Sequence, residues 1–157
     1  MTDTPTLDAG TLPAEIVVED VFPHSAETLW KALTDGALMA RWIMEPTGFA
    51  PIPGTRFTFQ TTPGGAWDGT IHCEVREAIP NRLLSYSWTS GHPSIEDGYG
   101  SPLDTQVTFT LTPSDGGTRL RMVHSGFQPR NHSAYEGMSK GWPTVLGRLA
   151  GLAGEPD

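Results

Sequence analysis

Between Arg56 and Ser125 the apolar residues of this chain recur at every second position, and beyond Met138 they recur at every third or fourth. The first period belongs to strands with one buried face, the second to a helix with one buried stripe. A chain built this way has to bury the face of an antiparallel sheet, and the closing helix is the obvious cover. Five segments carry the alternation. Arg56 to Gln60 puts Phe57 and Phe59 on one face. Trp67 to Ala78 sets Ile71, Cys73 and Val75 against His72, Glu74 and Arg76. Arg82 to Thr89 sets Leu84, Tyr86 and Trp88 against Ser85 and Ser87. Thr105 to Thr112 aligns Val107, Phe109 and Leu111. Thr118 to Ser125 aligns Leu120, Met122 and His124, with Arg119 and Arg121 turned to water. Pro63-Gly64-Gly65, Pro80-Asn81 and Ser114-Asp115-Gly116-Gly117 supply turn chemistry between them.

The flanks complete the plan. Ala14 to Phe22 alternates Ile16, Val18 and Phe22 with Glu15, Val17 and Glu19, which makes a sixth strand that Pro23 ends. Ser25 is a good N-cap, Glu27 suits the positive end of a helix, and Leu29, Trp30 and Leu33 share a helical face. Gly36 is expected to end that helix, and Asp35 to cap a shorter one over Ala37 to Ile43. Pro46 and Gly48 close the pair. At the C-terminal end Met138, Trp142, Val145, Leu149 and Leu152 step by 4, 3, 4 and 3. Pro143 fits this helix only in its first turn or as a kink. Gly141 and Gly147 each cost about 1 kcal/mol of helix propensity, so this helix needs tertiary packing to persist. The expected fold class is α+β: a curved antiparallel six-stranded sheet wrapped around a long C-terminal helix, with two short helices after the first strand. Residues 1–12 read as a disordered lead and 13–153 as a single domain. The chain holds 18 glycines and 14 prolines among 157 residues, which argues against a helix bundle.

Charge narrows the partners. Ten Lys and Arg face 18 Asp and Glu, for a net charge of −8. The basic residues are scattered, so the chain lacks the stripe that a phosphate backbone requires, and neither nucleic acid nor an anionic membrane is an expected partner. The first residues lack the basic start and apolar run of a signal peptide, and no apolar stretch approaches a membrane span. A cytoplasmic location is expected. Cys73 is the single cysteine, so no internal disulfide forms. Metal, P-loop and nucleophile-elbow motifs do not occur, and the histidines at 24, 72, 92, 124 and 132 show no ligand spacing. No cofactor and no metal are expected.

Five segments, in order, resemble the START-like (SRPBCC) superfamily, and within it the family of homologues of the activator of heat-shock protein 90 ATPase. Ser25-Ala-Glu-Thr-Leu-Trp-Lys-Ala-Leu-Thr-Asp followed by Ala40-Arg41-Trp42 looks like the family's first helical pair. Pro53-Gly54-Thr55-Arg56-Phe57 is similar to its lead into the next strand. Ile79-Pro80-Asn81-Arg82-Leu83-Leu84-Ser85-Tyr86-Ser87-Trp88 is similar to its proline-to-tryptophan strand. Gly117-Thr118-Arg119-Leu120 with His124-Ser125-Gly126-Phe127 resembles the last strand and its exit. Gly141-Trp142-Pro143-Thr144-Val145-Leu146-Gly147-Arg148-Leu149 resembles the opening of the last helix. Together they span about residues 14–152. The resemblance implies a helix-grip fold, in which the sheet curls round the last helix and leaves an elongated cavity. It does not fix a function, because this superfamily hosts carriers, cyclases, resistance proteins and co-chaperone domains.

In that fold Trp42, Trp88 and Trp142 would line the cavity or pack the core, and the two roles are compatible. Tyr86 and His124 are polar members of apolar registers and would orient a ligand's polar end. His124 would otherwise be a strand-end histidine satisfied by backbone or water, or an acid or base for cavity chemistry. Glu74 and His72 face solvent by alternation, and the acidic pair Glu96 and Asp97 reads as a solvated tip of the long loop. The candidate ligand-binding set is Trp42, Phe59, Tyr86, Trp88, Phe109, Met122, His124, Met138 and Trp142, with no catalytic residue assigned. The expected partner is a small apolar or aromatic molecule. The alternatives are a chaperone-directed interaction protein, as the family's name implies, and a cyclase- or hydrolase-like enzyme using the same cavity.

Overall fold

The structure, a computed structural model, describes residues 14–154. The lead expected at 1–12 lies outside the described residues. Seven strands form one antiparallel sheet: β1 (Ala14–Phe22), β2 (Pro46–Thr47), β3 (Arg56–Gln60), β4 (Thr70–Ile79), β5 (Leu83–Ser90), β6 (Leu103–Ser114) and β7 (Gly117–Phe127), in the spatial order β1-β7-β6-β5-β4-β3-β2. Helices α1 (Ala26–Thr34) and α2 (Gly36–Trp42) follow β1, and α3 (His132–Ala153) closes the chain.

The expected six strands become seven because β2 escapes any periodicity argument. It has two residues, paired as Pro46 to Phe59 and Thr47 to Thr58. Two residues cannot show alternation, and a proline in a strand is tolerated at a sheet edge, where β2 lies. The ends of the sheet elements also move. β6 and β7 run on to Ser114 and back to Gly117, so their ladder extends to the residues flanking the turn. In β4 a bulge between Val75 and Glu77 changes the parity, so Ala78 rather than Glu77 turns inward after Ile71, Cys73 and Val75. Gly117 makes the β1–β7 approach: it has φ +155°, and a Cβ there would come within 1.9 Å of the Phe22 carbonyl oxygen.

The helix caps follow the sequence. Ser25 Oγ accepts the Thr28 N–H at 3.1 Å, and Asp35 Oδ1 accepts those of Ala37 and Leu38 at 2.9 and 3.2 Å. Asp35 is at once the C-cap of α1 and the N-cap of α2, so Gly36 begins the second helix instead of ending the first. α3 begins at His132, after a single 3₁₀ turn at Pro129–Asn131. Pro143 therefore falls inside the helix rather than in its first turn, with its ring on the exposed side. Lacking an N–H, it leaves one rung of the helix unmade at Ser139.

Leu29, Leu33, Met39 and Trp42 from the short helices, and Trp142, Leu146, Leu149 and Leu152 from α3, are buried in one cluster with the inward residues of β3 to β7. On α3 the buried stripe passes through Leu146, while Val145 and Met138 are only half-buried.

Candidate functional site

The aromatic side chains delivered by the sheet decide how much of the space under α3 is solid. Phe57, Phe59 and Tyr86 meet edge to face and Tyr86 meets Phe109 at a tilt, a continuous run with ring centroids 5.2–6.5 Å apart. Trp42 joins the run at Phe109, 6.0 Å away, and its Nε1–H donates to the Ala32 carbonyl at 2.8 Å. This half of the interior is packed. Phe59, Tyr86, Phe109 and Met122 have no exposed surface, and Trp42 is nearly as buried.

At the other end the packing opens. A hollow of about 370 Å³ is walled by Ile71, Trp88 and Leu103 from the sheet, Trp67 from the β3–β4 connection, Met44 after α2, Gly98 to Ser101 from the β5–β6 loop, and Ser133, Ala134, Gly137 and Met138 from α3. A second hollow of about 340 Å³ shares Met44, Thr61, Trp88, Gly137 and Met138 with it, and continues along α3 to Gly141, Trp142 and Val145. Residues 133, 137 and 141 recur at one helical turn and carry serine or glycine. A Cβ built on Gly137 or Gly141 meets no atom within 4 Å. These glycines open space under the helix; they do not serve close approach.

Of the nine candidate residues, Trp88 and Met138 wall both hollows and Trp142 walls the second. Trp42, Phe59, Tyr86, Phe109, Met122 and His124 are in the packed core beside them and wall neither. Sequence reasoning missed Met44, Thr61, Trp67, Tyr99 and Leu103. Trp67 and Tyr99 fall in loop or strand-end positions, where alternation carries no signal.

His124 sits at the joint between the packed and open halves, fully buried. The Trp142 indole N–H donates to His124 Nδ1 at 3.1 Å. An indole nitrogen only donates, so Nδ1 is the accepting nitrogen and the ring proton is on Nε2. Nε2–H then donates to Thr105 Oγ1 at 2.8 Å, and the Thr105 hydroxyl donates to the Trp88 carbonyl at 2.9 Å. Burial holds the imidazole neutral, with its pKa pushed down to about 3. Both ring nitrogens are consumed by the protein, which makes His124 a brace between two wall tryptophans and leaves no nitrogen free for acid–base work. Burial also pushes the Cys73 thiol up to about 12, so it stays protonated and unreactive. Tyr86 Oη, Trp88 Nε1 and Ser85 Oγ are buried without hydrogen-bond partners, and of these only Trp88 belongs to a cavity wall. Burial raises the Tyr86 hydroxyl well above the usual tyrosine value, and the nearby Cys73 adds to it. His72 is exposed and Glu74 half-exposed beside Arg56 and Arg76. Among the described residues no group of three or more His, Cys, Asp or Glu is placed to hold a metal ion.

The β5–β6 loop straps the mouth. On one side Tyr99 lies against Trp67 (centroids 5.4 Å) and donates its hydroxyl to the Thr62 carbonyl. Gly64 sits under that ring, where a Cβ would come within 2.5 Å of it. On the other side Asp97 accepts the Gly98 N–H at 2.7 Å and the Ser133 hydroxyl at 3.2 Å, and the Asn131 amide donates to the Pro102 carbonyl at 2.7 Å.

An open antiparallel sheet gripping one long C-terminal helix, with two short helices after the first strand, is the helix-grip architecture of the START-like class. The chain belongs to the family described as "Activator of Hsp90 ATPase homolog 1-like protein", whose sequence model matches residues 23–154. Protein MLL2253 from Mesorhizobium loti is similar at 39% identity, with a TM-score of 0.79 over 92% of this chain and 99% of that one. Protein Mll3558 from Rhizobium loti (23% identity, TM-score 0.72, 88% and 96% covered) and the Aha1 dimer from Colwellia psychrerythraea (20%, 0.69, 87% and 93%) share the fold. No curated protein matches the chain. No helix among the described residues is long and apolar enough to cross a membrane.

Proposed function

We propose that the protein binds a small hydrophobic molecule in the hollow between α3 and the sheet. The observation that carries this reading is the open, aromatic-walled space beside the packed run of Phe57, Phe59, Tyr86 and Phe109. Its volume lies within the range of small-molecule sites. Trp88 and Met138 would contact the ligand from opposite sides, with Trp142 held in the wall by His124. Burial of apolar ligand surface would drive binding at about 25 cal/mol per Å² before ordering costs.

Titration with a panel of lipids, sterols and aromatic polyketides tests it, read by tryptophan fluorescence and melting temperature. A ligand is expected to quench the fluorescence and raise the melting temperature. Gly137→Phe, at the glycine that walls both hollows, is expected to abolish both responses while the far-ultraviolet dichroism stays that of the parent. No response across the panel, or a response that survives Gly137→Phe, overturns the reading.

A further inference from the structure

We infer that the cavity selects electrically neutral aromatic molecules and rejects anions, carboxylate-bearing ones included. This rests on the reading of the hollow as a binding site and concerns which chemistry it admits. Aromatic rings come from three sides: Trp88 from the sheet, Trp142 from α3, and Trp67 with Tyr99 at the strap. Flat faces of this kind suit a flat ligand. The polar atoms of the walls belong to backbone, to the hydroxyls of Thr61, Ser90, Ser101 and Ser133, to the Tyr99 hydroxyl and the Trp67 and Trp142 indole N–H groups, which the protein itself engages, and to the unpaired Trp88 indole N–H. Among the described residues no Lys, Arg, His, Asp or Glu lines either hollow.

A buried carboxylate needs a cation or several converging donors; among the described residues the walls hold no cation, and their donors are the one unpaired Trp88 indole N–H and scattered single hydroxyls. The single buried histidine nearby is no substitute. Its Nδ1 accepts and its Nε2–H is taken by Thr105, so it cannot become the imidazolium that would pair with an acid without breaking the brace on Trp142. A charge beside the wall has the wrong sign for an anion. Asp97 is fixed there by bonds to Gly98 and Ser133, both of which are wall residues. A net charge of −8 adds repulsion at longer range. A permanent cation would find the aromatic faces and Asp97 but no carboxylate in the walls to replace its water, so the neutral molecule is the better fit.

The test uses three naphthalenes of one shape: 2-acetonaphthone (neutral), 2-naphthoate (anionic) and 2-naphthyltrimethylammonium (cationic). Each is titrated into the full chain at pH 7.5 by calorimetry. The ketone is expected to bind, naphthoate at least tenfold more weakly, and the ammonium no more tightly than the ketone. Gly137→Phe, or the double variant Gly137→Leu/Gly141→Leu should the first misfold, is expected to remove ketone binding. Naphthoate binding as tightly as the ketone, or the ammonium binding more tightly, overturns the selectivity while the cavity stands as a binding site. Failure of all three to bind overturns both.

Discussion

His124 is the only buried histidine among the described residues, and its partners define what it does. His124→Leu removes the acceptor for the Trp142 N–H and the donor to Thr105. It is expected to cost about 2–4 kcal/mol of unfolding free energy, measured by urea titration. The pH dependence has a definite sign. The imidazole has a pKa of about 3 when folded and about 6.5 when unfolded, so between these values the unfolded chain binds the extra proton. The contribution is complete above pH 6.5 and declines as pH falls toward 3. The stability gap between the parent and His124→Leu is therefore expected to shrink steadily from pH 7 to pH 4. A gap that is flat or widens with acid would mean that His124 is charged in the native protein. The inward direction of His124 was legible from its place in the register of Leu120 and Met122. Its partners were not, because Thr105 and Trp142 reach it from other elements.

Elements show where local rules hold and where neighbours override them. In α3 the glycines at 137 and 141 are helical, and a methyl group there meets nothing. Gly137→Ala and Gly141→Ala are each expected to raise stability by up to about 1 kcal/mol through helix propensity alone. Gly117→Ala at the β6–β7 turn has the opposite sign. Its positive φ costs about 1–3 kcal/mol, and the added methyl would also push on the Phe22 carbonyl of β1. Both effects read out as shifts in the urea midpoint. Periodicity placed every strand of more than two residues, and the caps Ser25 and Asp35 placed α1 and α2. It passed over β2, whose two residues acquire their identity only by pairing with β3. It chose Val145 for the buried stripe of α3 where the fold buries Leu146, since a spacing of three or four fits 3.6 residues per turn equally well from Trp142.

For the whole molecule, cooperative stability follows the sheet order. β5, β6 and β7 are interior strands bonded on both sides, whereas β2 is a two-residue edge. Hydrogen exchange is expected to be slowest in β5 to β7 and fastest in β2 and in the exposed parts of the 91–102 loop. A bound neutral aromatic should slow exchange in that loop, which is tied to the site at Asp97 and Tyr99. Protection confined to α1 would place the ligand elsewhere. The alternating and helical periods of the sequence by themselves determined an α+β chain with one apolar sheet face and one covering helix, because burying a patterned face leaves few arrangements. Only the tertiary structure decided where that interior is full and where it is hollow. Phe59, Tyr86 and Phe109 share the inward pattern of Trp88, yet they fill the space between the elements while Trp88 faces an opening kept clear by Gly137 and Gly141. A pattern records which way a side chain points. Whether anything stands opposite depends on residues far away in the chain, and that is settled only when the helix lies on the sheet.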